Sequence, residues 1–96
     1  METAYLKEYL AFSRTLNYAQ ASVELFVSQP TLRAHIHALE DEVGAPLTVK
    51  RGGALELSPT GKLFLKKARA IVKVVDESVE ECRAFAAESS SLVVGT

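Results

Sequence analysis

A chain of 96 residues, 48% of them hydrophobic, is expected to form one small domain with a real core, not two. The lone Cys82 cannot close an internal disulfide, which fits a cytoplasmic protein in a reducing compartment. Two histidines and one cysteine, far apart, leave little for a metal site, which excludes most metalloenzymes; no metal, cofactor or enzyme activity is expected of the chain. No 18-residue apolar run exists, so no membrane span is expected, and METAYLKEYL lacks the basic leader of a secretory signal.

The net charge of −1 hides an asymmetry. Residues 1–27 carry Lys7 and Arg14 against Glu2, Glu8 and Glu24, and residues 74–96 carry Arg83 against Asp76, Glu77, Glu80, Glu81 and Glu88. Between them, Arg33, Lys50, Arg51, Lys62, Lys66, Lys67, Arg69 and Lys73 face only Glu40, Asp41, Glu42 and Glu56. The middle alone suits a polyanion. A sequence pI near 6.1 argues against a purely electrostatic nucleic-acid binder, so any such contact must be local and shaped.

Leu6, Tyr9, Leu10, Ser13 and Leu16, with Phe12 beside them, predict an amphipathic helix over about Thr3 to Thr15. Asn17 caps a second helix from about Tyr18 to Phe26, with Ala21 and Leu25 inward. Val27 is read as the turn residue. Ser28 opens a third helix with Pro30 in its first turn, where a missing N–H costs nothing. Leu32, Ile36, Leu39 and Val43 form its apolar stripe, and Gly44 ends it. Glu40-Asp41-Glu42 falls at the wrong end of this helix for the dipole, with no reason visible beyond solvation.

From Leu47 to Leu57 the period shortens to two short strands around Gly52-Gly53. Ser58 and Pro59 start a fourth helix, free of Pro and Gly from Lys62 to roughly Glu88, about 40 Å. Leu65, Ala68, Val72, Val75, Val79, Cys82 and Ala86 make a heptad seam along it, widened by Phe64, Ile71 and Phe85. Its first six residues are the expected dimer interface. Ser89-Ser90-Ser91 is expected to break the helix, and Leu92-Val93-Val94-Gly95 to begin a strand of a missing domain.

Helix, short helix, tight turn, helix and hairpin is the order of a winged helix-turn-helix, mainly α, with a long C-terminal helix. The third helix would present Gln29, Thr31, Arg33, Ala34 and His37 to a major groove, and Gln and Arg can read base edges bidentately. The competing reading is a helical dimerisation or adaptor module that binds no DNA, favoured by the long seam and acidic final third.

The stretch Ala21-Ser22-Val23-Glu24-Leu25-Phe26-Val27-Ser28-Gln29-Pro30-Thr31-Leu32 resembles the helix-turn-helix of LysR-type transcriptional regulators. Ile36, Leu39-Glu40, Val43-Gly44, Pro46-Leu47 and Leu57-Ser58-Pro59-Thr60-Gly61 continue the likeness without gaps. The resemblance implies a winged-helix reader over 1–58, a linker and dimerisation helix over 59–88, and a hinge with the start of an effector-binding domain over 89–96. It also implies double-stranded DNA and a second copy as partners, and a small-molecule co-inducer only in the absent C-terminal domain. Gln29, Pro30 and Thr31 match the start of the family's recognition helix. That family usually has Ser or Thr at position 33 and a basic residue at 34; here they are Arg33 and Ala34. Thr48 stands where a core Phe is usual, and Gly53-Ala54 lacks the common wing arginine.

Tyr18, Ser28, Gln29, Pro30, Thr31, Arg33, Ala34, His37, Lys50 and Arg51 are thus the expected DNA contacts; the Lys62, Lys66, Lys67, Arg69 and Lys73 cluster is read as a solvated helix face, with phosphate contact by Lys62 or Lys66 as the alternative. His35 and His37, two apart on a helix, face different ways and cannot share an ion. Ser28 is a cap rather than a nucleophile, and Cys82 a small apolar seam residue.

Overall fold

The computed structural model describes the backbone of residues 1–94 and the side chains of 1–89. Its elements follow the order α1 Thr3–Thr15, α2 Tyr18–Leu25, α3 Gln29–Val43, β1 Thr48–Arg51, β2 Ala54–Leu57 and α4 Pro59–Val94. Asn17 caps α2 by accepting the Gln20 N–H at 3.0 Å, and Gly44 ends α3 in the left-handed region at φ 82°. The strands pair antiparallel, Thr48 opposite Leu57 and Arg51 opposite Ala54. Gly52 and Gly53, at φ 59° and 82°, supply the two positive angles that a two-residue hairpin turn demands. This is a winged helix-turn-helix with a long C-terminal helix.

Leu6, Tyr9 and Phe12 of α1 meet Ala21 of α2, Leu32, Ile36 and Leu39 of α3, Leu47, and Ala68 of α4 in one core. No helix among the described residues is long and apolar enough to cross a membrane.

Three expectations are corrected. The helix does not break at Ser89-Ser90-Ser91 but runs to Val94, so residues 92–94 form no strand; Gly95 lies outside the described residues. Serine is a middling helix former, and no Pro or Gly interrupts this run. A strand would also need a sheet partner to satisfy its backbone. Second, Phe26 rather than Val27 takes the turn. It closes α2 at φ 57°, a costly angle for a bulky residue, with its ring almost wholly in solvent. Third, the first half of the heptad seam faces inward. Ala68 is fully buried, Leu65 and Val72 pack on the same core, and Val75 is half-buried. Only Val79 and Cys82 of the six remain exposed. Helix α1 packs against this half of the seam and leaves Leu65, Val72 and Val75 only partly open.

The wing is tied to α4 by backbone-scale contacts. Leu47 accepts the Ser58 N–H at 2.9 Å, and Ser58 Oγ donates to Pro46 O at 2.7 Å while accepting the Gly61 N–H at 2.9 Å. The buried Tyr9 hydroxyl donates to Gly61 O at 2.7 Å. Burial, aided by Glu40, pushes the Tyr9 pKa up from 10.0 to about 12. The folded chain therefore keeps a proton that the unfolded chain loses between those values. This contribution is complete below pH 10 and is lost as the pH rises through 12, about 2–3 kcal/mol in total. Urea melts from pH 8 to 12 should show this alkaline limb in the native chain and a shallower one in Tyr9→Phe. Equal slopes would refute the assignment.

Candidate nucleic-acid interface

Three local devices hold the exposed face of α3. Ser28 Oγ accepts the Thr31 N–H at 3.2 Å and donates to Thr31 Oγ1 at 2.8 Å, which fixes the first turn. Leu32, Ile36 and Leu39 are buried and set the roll of the helix. His35 stacks on Tyr5, ring centroids 3.9 Å apart, and its Nδ1 lies 2.7 Å from Glu8 Oε1. That contact bolts α3 to α1 on the side away from the exposed face. His35 is thereby occupied in the fold, while His37 is exposed.

With that roll set, Gln29, Arg33, His37 and Glu40 line an open cleft of about 470 Å³ whose other walls are Leu16, Asn17, Tyr18 and Ala19, then Thr48, Lys50 and Leu55 of the wing. Five expected contacts, Tyr18, Gln29, Arg33, His37 and Lys50, share this surface. Ser28, Pro30, Thr31 and Ala34 are exposed on α3 but do not line the cleft. Arg33 and Ala34 differ by about 100° around the helix axis, so the guanidinium sits on the flank toward α2 and the wing.

Arg33 Cζ rests 4.1 Å above the Tyr18 ring centroid, and the Tyr18 ring stacks on Phe12 at 4.4 Å. Burial raises the Tyr18 pKa against the lowering pull of Arg33, with Glu40 adding to the rise. Arg51 differs from Lys50. Its Nε lies 3.4 Å from Glu56 Oε2 across the hairpin, whereas Lys50 has no ion-pair partner among the described residues. Lys62 and Lys66 are exposed on the first turns of α4 and stand outside the cleft.

Glu40 is the residue of this surface that sequence reasoning missed. One oxygen accepts the Leu47 N–H at 2.8 Å, and the other lies 3.4 Å from His37 Nδ1. It clamps α3 to the root of the wing, so the two elements present one surface. The signal was there: an acid at the unfavourable end of a helix dipole needs a donor of its own.

Residues 5–62 match the sequence profile of the bacterial regulatory helix-turn-helix proteins of the lysR family. The chain is 33% identical over 95 residues to the Hca operon transcriptional activator HcaR of Escherichia coli K12, covering 99% of this chain and 32% of HcaR. It is 35% identical over 86 residues to the regulator BudR of Klebsiella aerogenes, covering 90% of this chain and 60% of BudR. The chain thus spans about a third of HcaR's length and under two thirds of BudR's. Among solved structures it resembles the DNA-binding domain of CbnR in its DNA complex, with a TM-score of 0.82 and 35% identity, covering 90% of this chain and 99% of that one. Vibrio fischeri DarR in complex with DNA gives a TM-score of 0.84 at 31% identity, over 90% of this chain and 30% of DarR. These relatives are transcription regulators rather than enzymes, and the chain belongs to the LysR family of bacterial regulatory helix-turn-helix proteins.

Proposed function

We propose that this chain binds double-stranded DNA sequence-specifically as the reader of a dimeric, cytoplasmic transcription regulator. Helix α3 enters the major groove, and the wing lies on the minor groove or its flanking phosphates. The observation that carries this reading is the single cleft joining Tyr18, Gln29, Arg33 and His37 to Lys50 of the wing. Pro30, Thr31 and Ala34 offer small apolar surface for thymine methyl groups beside it, and Ser28 acts through the cap. Residues 1–58 form the reader, and the linker helix begins at Pro59. A co-inducer domain is a proposal for the whole protein only.

The test is binding to random and selected duplexes across a salt series. Phosphate contacts release counterions, so log affinity should fall linearly with log salt; a helical adaptor would show no such dependence. Lys50→Ala should weaken all duplexes alike and flatten that slope by about 1 unit. Arg51→Ala should change it less, because Glu56 already offsets that charge. Glu56→Gln should strengthen binding to random duplex. A slope unmoved by Lys50→Ala would leave the wing as structure alone.

The dimer surface proposed is the apolar arc of α4 left open by α1. Val79 and Cys82 belong to it, joined by Ile71, Val74 and Phe85, with Val74 61% and Phe85 71% exposed. Leu65, Ala68, Val72 and Val75 support it from within the fold. Phe85→Glu should therefore shift the chain from dimer to monomer in sedimentation without lowering its melting temperature. Val75→Glu should destabilise the fold itself, because Val75 sits beside Lys7 and Asp76, themselves paired at 3.2 Å. A native chain already monomeric at tens of micromolar would overturn this surface.

A further inference from the structure

We propose that Tyr18 is a positioning residue for Arg33, and that the pair makes this chain select a guanine at one base pair of its site. The inference rests on the DNA-binding reading above and adds the device behind one element of sequence choice. Phe12 is fully buried in the core, and its ring backs Tyr18 at 4.4 Å with the planes 25° apart. Tyr18 therefore has no room to retreat. Its other face carries the Arg33 guanidinium at 4.1 Å. Core, ring and cation form a three-layer stack that ends at the open cleft.

A guanidinium whose central carbon rests over a ring face is held through its charge, not its N–H donors, which stay available to a base. Glu40, which lines the same cleft, accepts the Leu47 N–H with one oxygen and lies 3.4 Å from His37 Nδ1 with the other, and makes no ion pair with Arg33. No carboxylate pairs with Arg33 among the described residues. The side chain is thus held, planar and unpaired on the groove-facing cleft. A planar pair of donors is what guanine O6 and N7 accept bidentately. Fixing the fork before binding removes the rotamer freedom that a loose arginine would lose on the DNA. Lysine, a point charge on a flexible stem, lacks the fork and cannot replace it.

The experiment selects from a duplex library randomised over its central base pairs, using the 96-residue chain, Tyr18→Phe, Tyr18→Leu, Arg33→Lys, Arg33→Ala and the Tyr18→Leu/Arg33→Ala double variant. Tyr18→Leu should lower the guanine preference roughly 3- to 10-fold at the same base pair that Arg33→Ala affects. The double variant should be no worse than Arg33→Ala, and Tyr18→Phe should keep the preference. Equal loss on every sequence, or additive losses in the double variant, would reduce Tyr18 to a structural residue and overturn the proposal. If Tyr18→Leu proves unfolded by circular dichroism, Arg33→Lys decides. It must lose the guanine preference while keeping the salt slope, and a lysine that still selects guanine overturns the fork. A native chain that enriches no sequence removes the DNA-reading proposal and this one together. A native chain that enriches a site which Tyr18→Leu still reads removes this one alone.

Discussion

Gly61→Ala is expected to lower the melting temperature by about 8–16 °C, although alanine is the better helix former. A β-carbon on Gly61 would overlap the carbonyl oxygen of Leu47 and come within 2.9 Å of its carbonyl carbon and 3.2 Å of the Tyr9 hydroxyl. The first two are backbone atoms and cannot swing aside. Relief would require moving the root of the wing, where the same Leu47 oxygen accepts the Ser58 N–H. It would also disturb the Tyr9 hydrogen bond to Gly61 O. Overpacking of this kind costs about 3 kcal/mol, against a gain in helix propensity of about 1 kcal/mol. The clash wins. At about 4–8 °C per kcal/mol for a chain of this size, the net loss reaches the stated shift. DNA affinity should fall as well, because the wing would no longer hold its angle to α3. A variant that melts within about 2 °C of the native chain would overturn the close approach of α4 to Leu47.

The punctuation of this fold was legible because it depends on short-range chemistry. Asn17, Ser28 with Pro30, Gly44, and Ser58 with Pro59 each set a helix end through a backbone group left without an intrahelical partner. Gly52-Gly53 likewise set the register of the hairpin. Phe26 was not legible, since nothing in its chemistry favours a left-handed angle; the angle belongs to the chain reversal that ends α2, where its N–H still bonds back to Ser22 O and Val23 O while its ring stays in solvent. The long seam misled for a related reason. Periodicity shows that a helix face is apolar but not what covers it. Leu6, Tyr9 and Phe12 are one such cover within the chain, and the partner stripe on α4 could be assigned only once α1 was seen beside it.

The site shows the same division. Gln29, Arg33 and His37 share one face by helical spacing, which the sequence displays directly. That Tyr18 and Lys50 complete the face depends on contacts between elements far apart in the chain. So does the contrast between Lys50 and Arg51, which follows from the diagonal placing of Glu56 across β1 and β2.

Arg33→Ala should cost about 1–3 kcal/mol on a preferred site, roughly 5- to 150-fold, and much less on random duplex. The asymmetry is the point, because a phosphate contact would lose equally on both. The family's usual arrangement, a hydroxyl at 33 and a basic group at 34, gives a sharper version. Restoring it with the double change Arg33→Ser and Ala34→Arg keeps the net charge, so the salt slope should stay within about 0.5 unit of the native value. The guanidinium then projects about 100° further round α3, away from the Tyr18 ring and toward the outermost line of the helix. Affinity for random duplex should survive. The preferred sequence should not: the swapped chain should select a different base at the affected position and bind the native site no better than Arg33→Ala. Selection on both proteins in one buffer measures this. If the swapped chain keeps the native preference, the rotation of the basic group has no part in sequence choice, and specificity then lies with Gln29 and the small residues around Pro30.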